Sequence, residues 1–389
     1  MKIAELMNDR TRQSSEQAIY DVLGCAACTL LLVLFGLTML YSTTYATVGE
    51  KLFQKQLFWA AAALLGTVGI VLVGYRRLGR KEVCTVLMLA VLILLAIALC
   101  SHPVKGARRW IFLPGFQIQP SEIAKVVLPL YAAGLFADRW RDLADWHRWK
   151  SLLLPGLLIA AVPGMVMLGH DLGTTMLLTA GIVIAAIVGG IQKRFYVFPL
   201  LGLAGVFVLV ALFSPVRMAR IKTFLDPENP AYSEESGYQL LNSLYALGSG
   251  DWCGIGFGES RMKQSYLPEA HTDFILSIVG EELGFLGLLG VIAAYLFFGW
   301  FGIRIALRAR SRFGMLLAFT LTAIITLQAA INIGVIAGGL PTKGISAPFI
   351  SYGGSNLVMT MAMVGLLLSI GLENARGWNG VRFGQHEGE

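Results

Sequence analysis

Ten apolar runs, each close to the length of a membrane-crossing helix, constrain this chain more than any other feature of its sequence. They lie near residues 22–40, 57–74, 83–100, 118–137, 152–168, 172–190, 196–213, 274–302, 314–338 and 356–372. About 20 residues of helix cover the hydrocarbon core of a bilayer. The whole chain agrees: 56% of its 389 residues are apolar and 14% charged, with a mean hydropathy of +0.67, whereas soluble domains are about a quarter charged. The expected fold class is an all-α polytopic membrane protein of about ten transmembrane helices. It divides into a polar tail at 1–21, a membrane domain at 22–372 and a tail at 373–389.

Lys and Arg in the short loops give the orientation. The loops after the second, fourth, sixth and eighth runs hold 14 such residues, and those after the first, third, fifth and ninth hold 6. By the positive-inside rule the first set is cytoplasmic. Both termini are then inside, and the long loop 214–272 is extracytoplasmic. The net charge of +7 reads as topology and contact with anionic lipid, not as a nucleic-acid surface. The first apolar run is too long for a signal-peptide core and lacks a small-residue cleavage site, so it reads as a retained targeting span. Of the five cysteines, Cys25, Cys28, Cys84 and Cys100 lie in apolar runs and Cys253 stands in the long loop; no disulfide framework or metal quartet follows.

Loop 214–272 carries organisation of its own. GYQLLNSLYAL at 237–247 spaces Leu240, Leu241, Leu244 and Tyr245 as a short amphipathic helix. The following GSGDWCGIGFGES packs five glycines into eleven residues. No strand precedes it and no Lys-Ser or Lys-Thr follows, so a tight turn is favoured over a nucleotide cradle.

Polar groups gather on the outer face. The loop after the third run brings Lys105, Arg108 and Arg109, and the fourth run opens with Glu122 and Lys125. These last two are three residues apart, share a helix face and can neutralise each other. An ion pair locking helices and a binding site are both open. Arg217, Arg220 and Lys222 stand just outside the seventh run, against the topological bias of basic residues, as an anionic ligand would require. The last outer loop, GGLPTKGISAPFISYGGS, is too rich in Gly, Pro and Ser for regular helix. Irregular backbone at membrane depth persists where it is buried or lines a cavity, so Thr342, Lys343 and Ser351 are candidates for a polar pocket. SYLPEAHTDFILSIVGEE places Glu269, His271 and Asp273 at a membrane entry, with Glu281 and Glu282 further in. A charge at that depth needs water, a partner or a reaction. The bland reading of Asp273 is a helix cap.

GARRWI with QPSEIAK, RIKTFLDP, GYQLLNSLYALGSG, YLPEAHTDFILSIVGEELG and GLPTKGISAPFISYGGS resemble, in order and spacing, the SEDS family of peptidoglycan glycosyltransferases. The resemblance runs from the first helix to about residue 375, and LPEAHTDF and LPTKG look most like its cell-division, FtsW-type branch rather than the RodA-type or sporulation branches. FILSIVGEE departs from the family's usual Phe and Ala after the FI pair. Motif matching makes Asp273 the catalytic acid and assigns Arg109, Glu122, Lys125 and Lys343 to the family's site.

What the resemblance implies is polymerisation of lipid II, a disaccharide-pentapeptide on polyprenyl pyrophosphate. Pyrophosphate leaves without protonation, so one base suffices where glycosidases need two carboxyl groups. Asp273 would take the acceptor hydroxyl's proton, with inversion at the anomeric carbon. Arg109, Arg217, Arg220, Lys125 and Lys343, with Glu122 and Ser351, would bind substrate. Lys105, His271, Glu281 and Glu282 would support them, the two glutamates as structural or pKa-tuning partners beneath Asp273. No cofactor is required; a divalent cation such as Mg or Mn could share the pyrophosphate charge, though no ligand set for one shows. Expected partners are the growing glycan strand, a class B penicillin-binding protein and other divisome membrane proteins, with no nucleic acid, in the bacterial inner membrane at the septum. A lipid-linked precursor flippase and a non-enzymatic division scaffold are the rival readings. A transporter needs a midplane site open to both faces.

Overall fold

The computed structural model describes residues 2–45, 50–104, 106–114, 116–212, 236–264, 266–342 and 344–376. Each of the ten apolar runs falls on a helix. In chain order these are α1 (Lys2–Tyr45), α2 (Glu50–Val73), the short α3 (Tyr75–Leu78), α4 (Lys81–Leu99), α5 (Pro120–Asp138), the short α6 (Trp140–Leu143), α7 (Trp149–Leu168), α8 (Leu172–Val188), α9 (Arg194–Leu212), α10 (Ser236–Gly250), α11 (Ile275–Leu307), α12 (Arg312–Ile336) and α13 (Gly354–Ala375). Among the described residues six helices are long and apolar enough to cross a membrane: the Ser15–Tyr45 part of α1, then α2, α4, α11, α12 and α13. The apolar stretches of α7 and α8 are shorter.

The bundle is built around α12, which touches α5, α8, α11 and α13, while α2 and α1 pack on α13 and α1 on α11. Small side chains let the helices approach, as at Ala318 and Ala329, both buried. Charges fasten the ends. Asp21 of α1 meets Arg304 at 2.8 Å and Arg308 at 2.9 Å on α11, and Arg76 of α3 meets Glu373 of α13 at 2.5 Å.

The sequence did not announce two features. A two-stranded antiparallel hairpin, β1 (Ile111–Leu113) and β2 (Phe116–Ile118), pairs Phe112 with Gln117 just before α5. And α11 is broken at Gly284, whose φ of 69° and ψ of −167° interrupt the helix. The glycine-rich turn repairs that break. Phe285 and Leu286 N–H donate to the carbonyls of Asp251 and Trp252, at 2.8 and 3.2 Å. In return Ile255 and Gly256 N–H donate to the carbonyls of Glu281 and Glu282, at 3.0 and 3.1 Å. Four backbone groups that a broken helix leaves open are thereby satisfied. The amphipathic segment forms α10, three residues beyond the expected 237–247 at its end, and packs on α11.

Candidate active site

The N-terminal ends of α2, α5, α8, α11 and α13 meet the last turns of α12 around a cavity of about 550 Å³. Arg109, Glu122, Lys125 and Asp273 all line it, so residues from three separate stretches of sequence converge. The hairpin gives Phe112, Phe116 and Gln117 to its wall, and α2 gives Lys55 and Trp59. The last loop gives Gly344, Ile345, Ser346 and Tyr352.

On the floor is an ion pair. Lys125 Nζ stands 2.5 Å from Glu122 Oε2, and both side chains are buried. Lys125 Nζ also donates to Gln328 Oε1 at 3.0 Å and Asn356 Oδ1 at 3.4 Å. The two amides in turn donate to the last loop, Gln328 Nε2 to Ser346 O at 2.8 Å and Asn356 Nδ2 to Ser346 Oγ at 2.9 Å. A buried lysine is tolerable only with such partners. Because its charge is matched by Glu122, the pair adds polarity to the floor with little net charge.

Arg109 is different. It lies over the Trp110 ring, 6.0 Å to the centroid, and its Nε is buried with no hydrogen-bond partner. A guanidinium so placed can receive an anion bidentately.

Asp273 precedes α11, and the capping position itself falls on Phe274, whose side chain makes no cap bond. The backbone turns instead on Glu269, with φ of 61°, whose carbonyl accepts from Thr272 N at 3.0 Å and whose carboxylate accepts from Thr272 Oγ1 at 2.7 Å. Opposite lies Gly344, where a Cβ would come within 2.9 Å of Asp273 Oδ2. A side chain at 344 would push the carboxylate from the place it holds here. Tyr352 closes this side; burial pushes its phenol above the ordinary tyrosine value, so it stays a neutral hydroxyl.

Several expected residues stand elsewhere. Glu281 and Glu282 do not sit in the cavity beneath Asp273. Glu281 accepts from Ser260 Oγ at 2.5 Å and Arg261 N at 3.0 Å. Glu282 pairs with Lys263 at 2.9 Å and accepts from Ser42 Oγ on α1 at 2.8 Å. Both are anchors of the segment after α10. Ser351 is buried, outside the cavity, and its Oγ accepts from Ala347 N at 2.8 Å within the last loop; Ser346 and Ser355 line the cavity instead. His271 stacks at a tilt on Tyr352, ring centroids 5.8 Å apart, behind the cavity wall. Lys105, Arg217, Arg220, Lys222 and Lys343 lie outside the described residues. Among the described residues no three His, Cys, Asp or Glu side chains come together as a metal would require.

Sequence reasoning passed over Gln119, Asp171, Gln328, Asn332 and Asn356. Asp171 caps α8, accepting from Thr174 N at 3.2 Å, and also accepts from Gln119 Nε2 at 3.1 Å, tying α8 to α5 beside Arg109. The overlooked signal was amides within apolar runs and an acid between two of them, since each such group needs a partner.

A probable peptidoglycan glycosyltransferase FtsW of Geobacter sp. (strain M18) is 36% identical over 351 residues, covering 88% of this chain and 94% of the relative. The protein of the same name from Halorhodospira halophila is 38% identical over 357 residues, covering 88% of each. Among solved structures, a chain of a peptidoglycan synthase complex that coordinates polymerization and crosslinking superposes with a TM-score of 0.74 at 26% identity, over 90% of this chain and 98% of that one. The rod shape determining protein RodA of Thermus thermophilus gives 0.67 at 26% identity, over 90% and 96%. The family model described as cell cycle protein, for FtsW, RodA and SpoVE, matches residues 23–376; this chain belongs to that family.

Proposed function

We propose that this protein polymerises lipid II into glycan strands of peptidoglycan during cell division, at the outer face of the bacterial inner membrane. The observation that carries the reading is one cavity that holds an acid, Asp273, opposite an arginine with an unpartnered buried Nε. Its support is the 36% identity to proteins named FtsW peptidoglycan glycosyltransferase.

The chemistry follows from what faces what. Asp273 as carboxylate accepts the proton of the acceptor sugar's hydroxyl while that oxygen attacks the donor's anomeric carbon. The bond from that carbon to pyrophosphate breaks and the electron pair leaves with polyprenyl pyrophosphate, inverting the centre. Arg109 meets the charge as it develops, in a site partly shielded from water, where a fixed donor is worth more than in bulk. The paired Lys125 and Glu122 keep the floor polar without a net charge to trap the product. Trp59, Phe116 and Tyr352 give the sugars aromatic surface. Lys343 is assigned to the same anion by motif, and Arg217 and Arg220 by their charge outside the seventh apolar run, with Lys105 in support; Ser351, His271, Glu281 and Glu282 hold the loops. The basic-loop count sets the cavity's end outside, with both termini inside. The partner is a class B penicillin-binding protein, with other division proteins at the septum; the fold's likeness to a chain of a peptidoglycan synthase complex supports this. A cavity at the helix ends, lined by Asp273 at the start of α11 and Gly354 at the start of α13, suits transfer of membrane-borne sugars better than passage through the membrane.

The test is purified protein, with and without such a partner, given lipid II, and glycan polymer read on a gel. Wild type makes polymer; Asp273→Asn accumulates normally in the membrane, binds the partner and makes none. Robust polymer from the Asn variant sinks the assignment.

A further inference from the structure

Asn332 stands on α12 one turn beyond Gln328, within the apolar stretch TLQAAINIG, and is 1% exposed. Burying an amide costs free energy unless it is hydrogen-bonded. This one is used in a particular way. Its Nδ2 donates to the backbone carbonyl of Asp273 at 2.8 Å and to that of Ile345 at 2.7 Å. Both hydrogens of one amide group are spent on two loops that meet at the lining of the same cavity.

What those carbonyls belong to makes the contact matter. Asp273 lies before α11, in the turn that opens on Glu269, and its carbonyl is one of the two that Asn332 holds. Ile345 follows Gly344, the residue whose missing Cβ leaves space for Asp273 Oδ2 at 2.9 Å. A shift of either loop by a fraction of an ångström would therefore change where the carboxylate stands, or close its space. Gln328, a turn earlier on the same face, fastens Ser346 of the same loop and accepts from Lys125. One stripe of α12 thus sets the last loop against both the floor and the acid.

We propose that Asn332 is a positioning residue for the glycosyl transfer, holding the Asp273 carboxylate in register with the acceptor by tying the Asp273 and Ile345 carbonyls to one rigid helix. The inference rests on Asp273 being the base. Misplacement of a reacting group by about 1 Å can cost about a hundredfold in rate, so the effect belongs to turnover and not to lipid II affinity.

Two variants test it. Asn332→Ala removes both donors. Asn332→Asp keeps the shape of the side chain and replaces its NH2 with an oxygen, so no cavity is made. For each, turnover per folded molecule is measured on the monodisperse fraction at saturating lipid II, and lipid II binding is titrated separately. The expected result is a tenfold or larger fall in turnover with the lipid II Kd within threefold of wild type. A fall smaller than tenfold in a variant that folds overturns the proposal, as does a loss of affinity that accounts for the loss of rate. Failure of both variants to give monodisperse protein also overturns it, since Asn332 would then serve the fold alone. Asp273→Asn is run in parallel. Full activity there removes the base reading itself, whereas loss there with both Asn332 variants unimpaired removes only the positioning role.

Discussion

Arg109 and Lys125 are both cations on one cavity wall, yet their surroundings give them different work. Lys125 is buried against Glu122 with two amides completing its shell, and Arg109 has a buried Nε with nothing to donate to. Arg109→Ala should therefore lower polymerisation by about a hundredfold, the scale for losing one fixed donor to a developing charge, while the protein still accumulates. Unchanged turnover in the polymer assay would remove Arg109 from the site. The Lys125 pair should behave as a stability element first. Glu122→Ala leaves a buried ammonium unmatched and should cost about 3–5 kcal/mol. Replacing both members together, Glu122→Leu with Lys125→Met, removes the charge as well as its partner and should restore much of the thermal stability lost in the single variant. Unfolding midpoints of the purified single and double variants decide this, and a double variant less stable than Glu122→Ala would contradict it.

At the scale of elements, the broken helix α11 and the turn 251–256 form one unit. The break at Gly284 is tolerated because the turn's backbone supplies the missing partners, and Lys263, Glu282 and Ser42 clamp the same region onto α1. Gly254 is the tightest point of the contact: its φ is 80°, and a Cβ there would collide with the Glu282 carbonyl. A side chain at positive φ costs about 1–2 kcal/mol before any clash is counted. Gly254→Ala should thus lower the melting temperature of the detergent-solubilised protein by several degrees, and Gly258→Ala, with open space around it, by less. Equal effects at the two glycines would show that the contact with α11 is not what holds the turn.

For the whole molecule the decisive quantity is sidedness. If the cavity opens outward, α10 and the turn after it lie outside the cell. A cysteine introduced at Ser236, with the exposed Cys253 and Cys100 replaced to remove background, should react with an impermeant thiol reagent added to intact spheroplasts. Labelling that appears only after lysis would invert the topology and remove the outer-face site with it. The same arrangement explains the ion pairs at the opposite end: Asp21 with Arg304 and Arg308, and Glu373 with Arg76, place arginines where the loop charges set the cytoplasm.

The chain's linear pattern was enough to locate ten helices, because an apolar run of membrane length has few other places to go. It was enough also for the Glu122–Lys125 pair, since three residues along a helix fix two side chains on one face. Motif matching reached Asp273 and Arg109, which the fold then brought to one cavity. Contacts between distant segments were beyond it. Glu281 and Glu282 looked like partners of Asp273 because they follow it in the next helix, but Ser260, Lys263 and Ser42 hold both carboxylates and neither lines the cavity. Asp273 was legible as an acid beside a helix start, but the turn at Glu269 that leads into α11 was not. Asn332 and Gln328 gave no periodic or motif signal, and their meaning lies in which carbonyls reach them across the bundle. Local sequence sets hydrophobicity and helical phase, whereas hydrogen-bond partners in a dry interior are set by which loops the packed helices bring together.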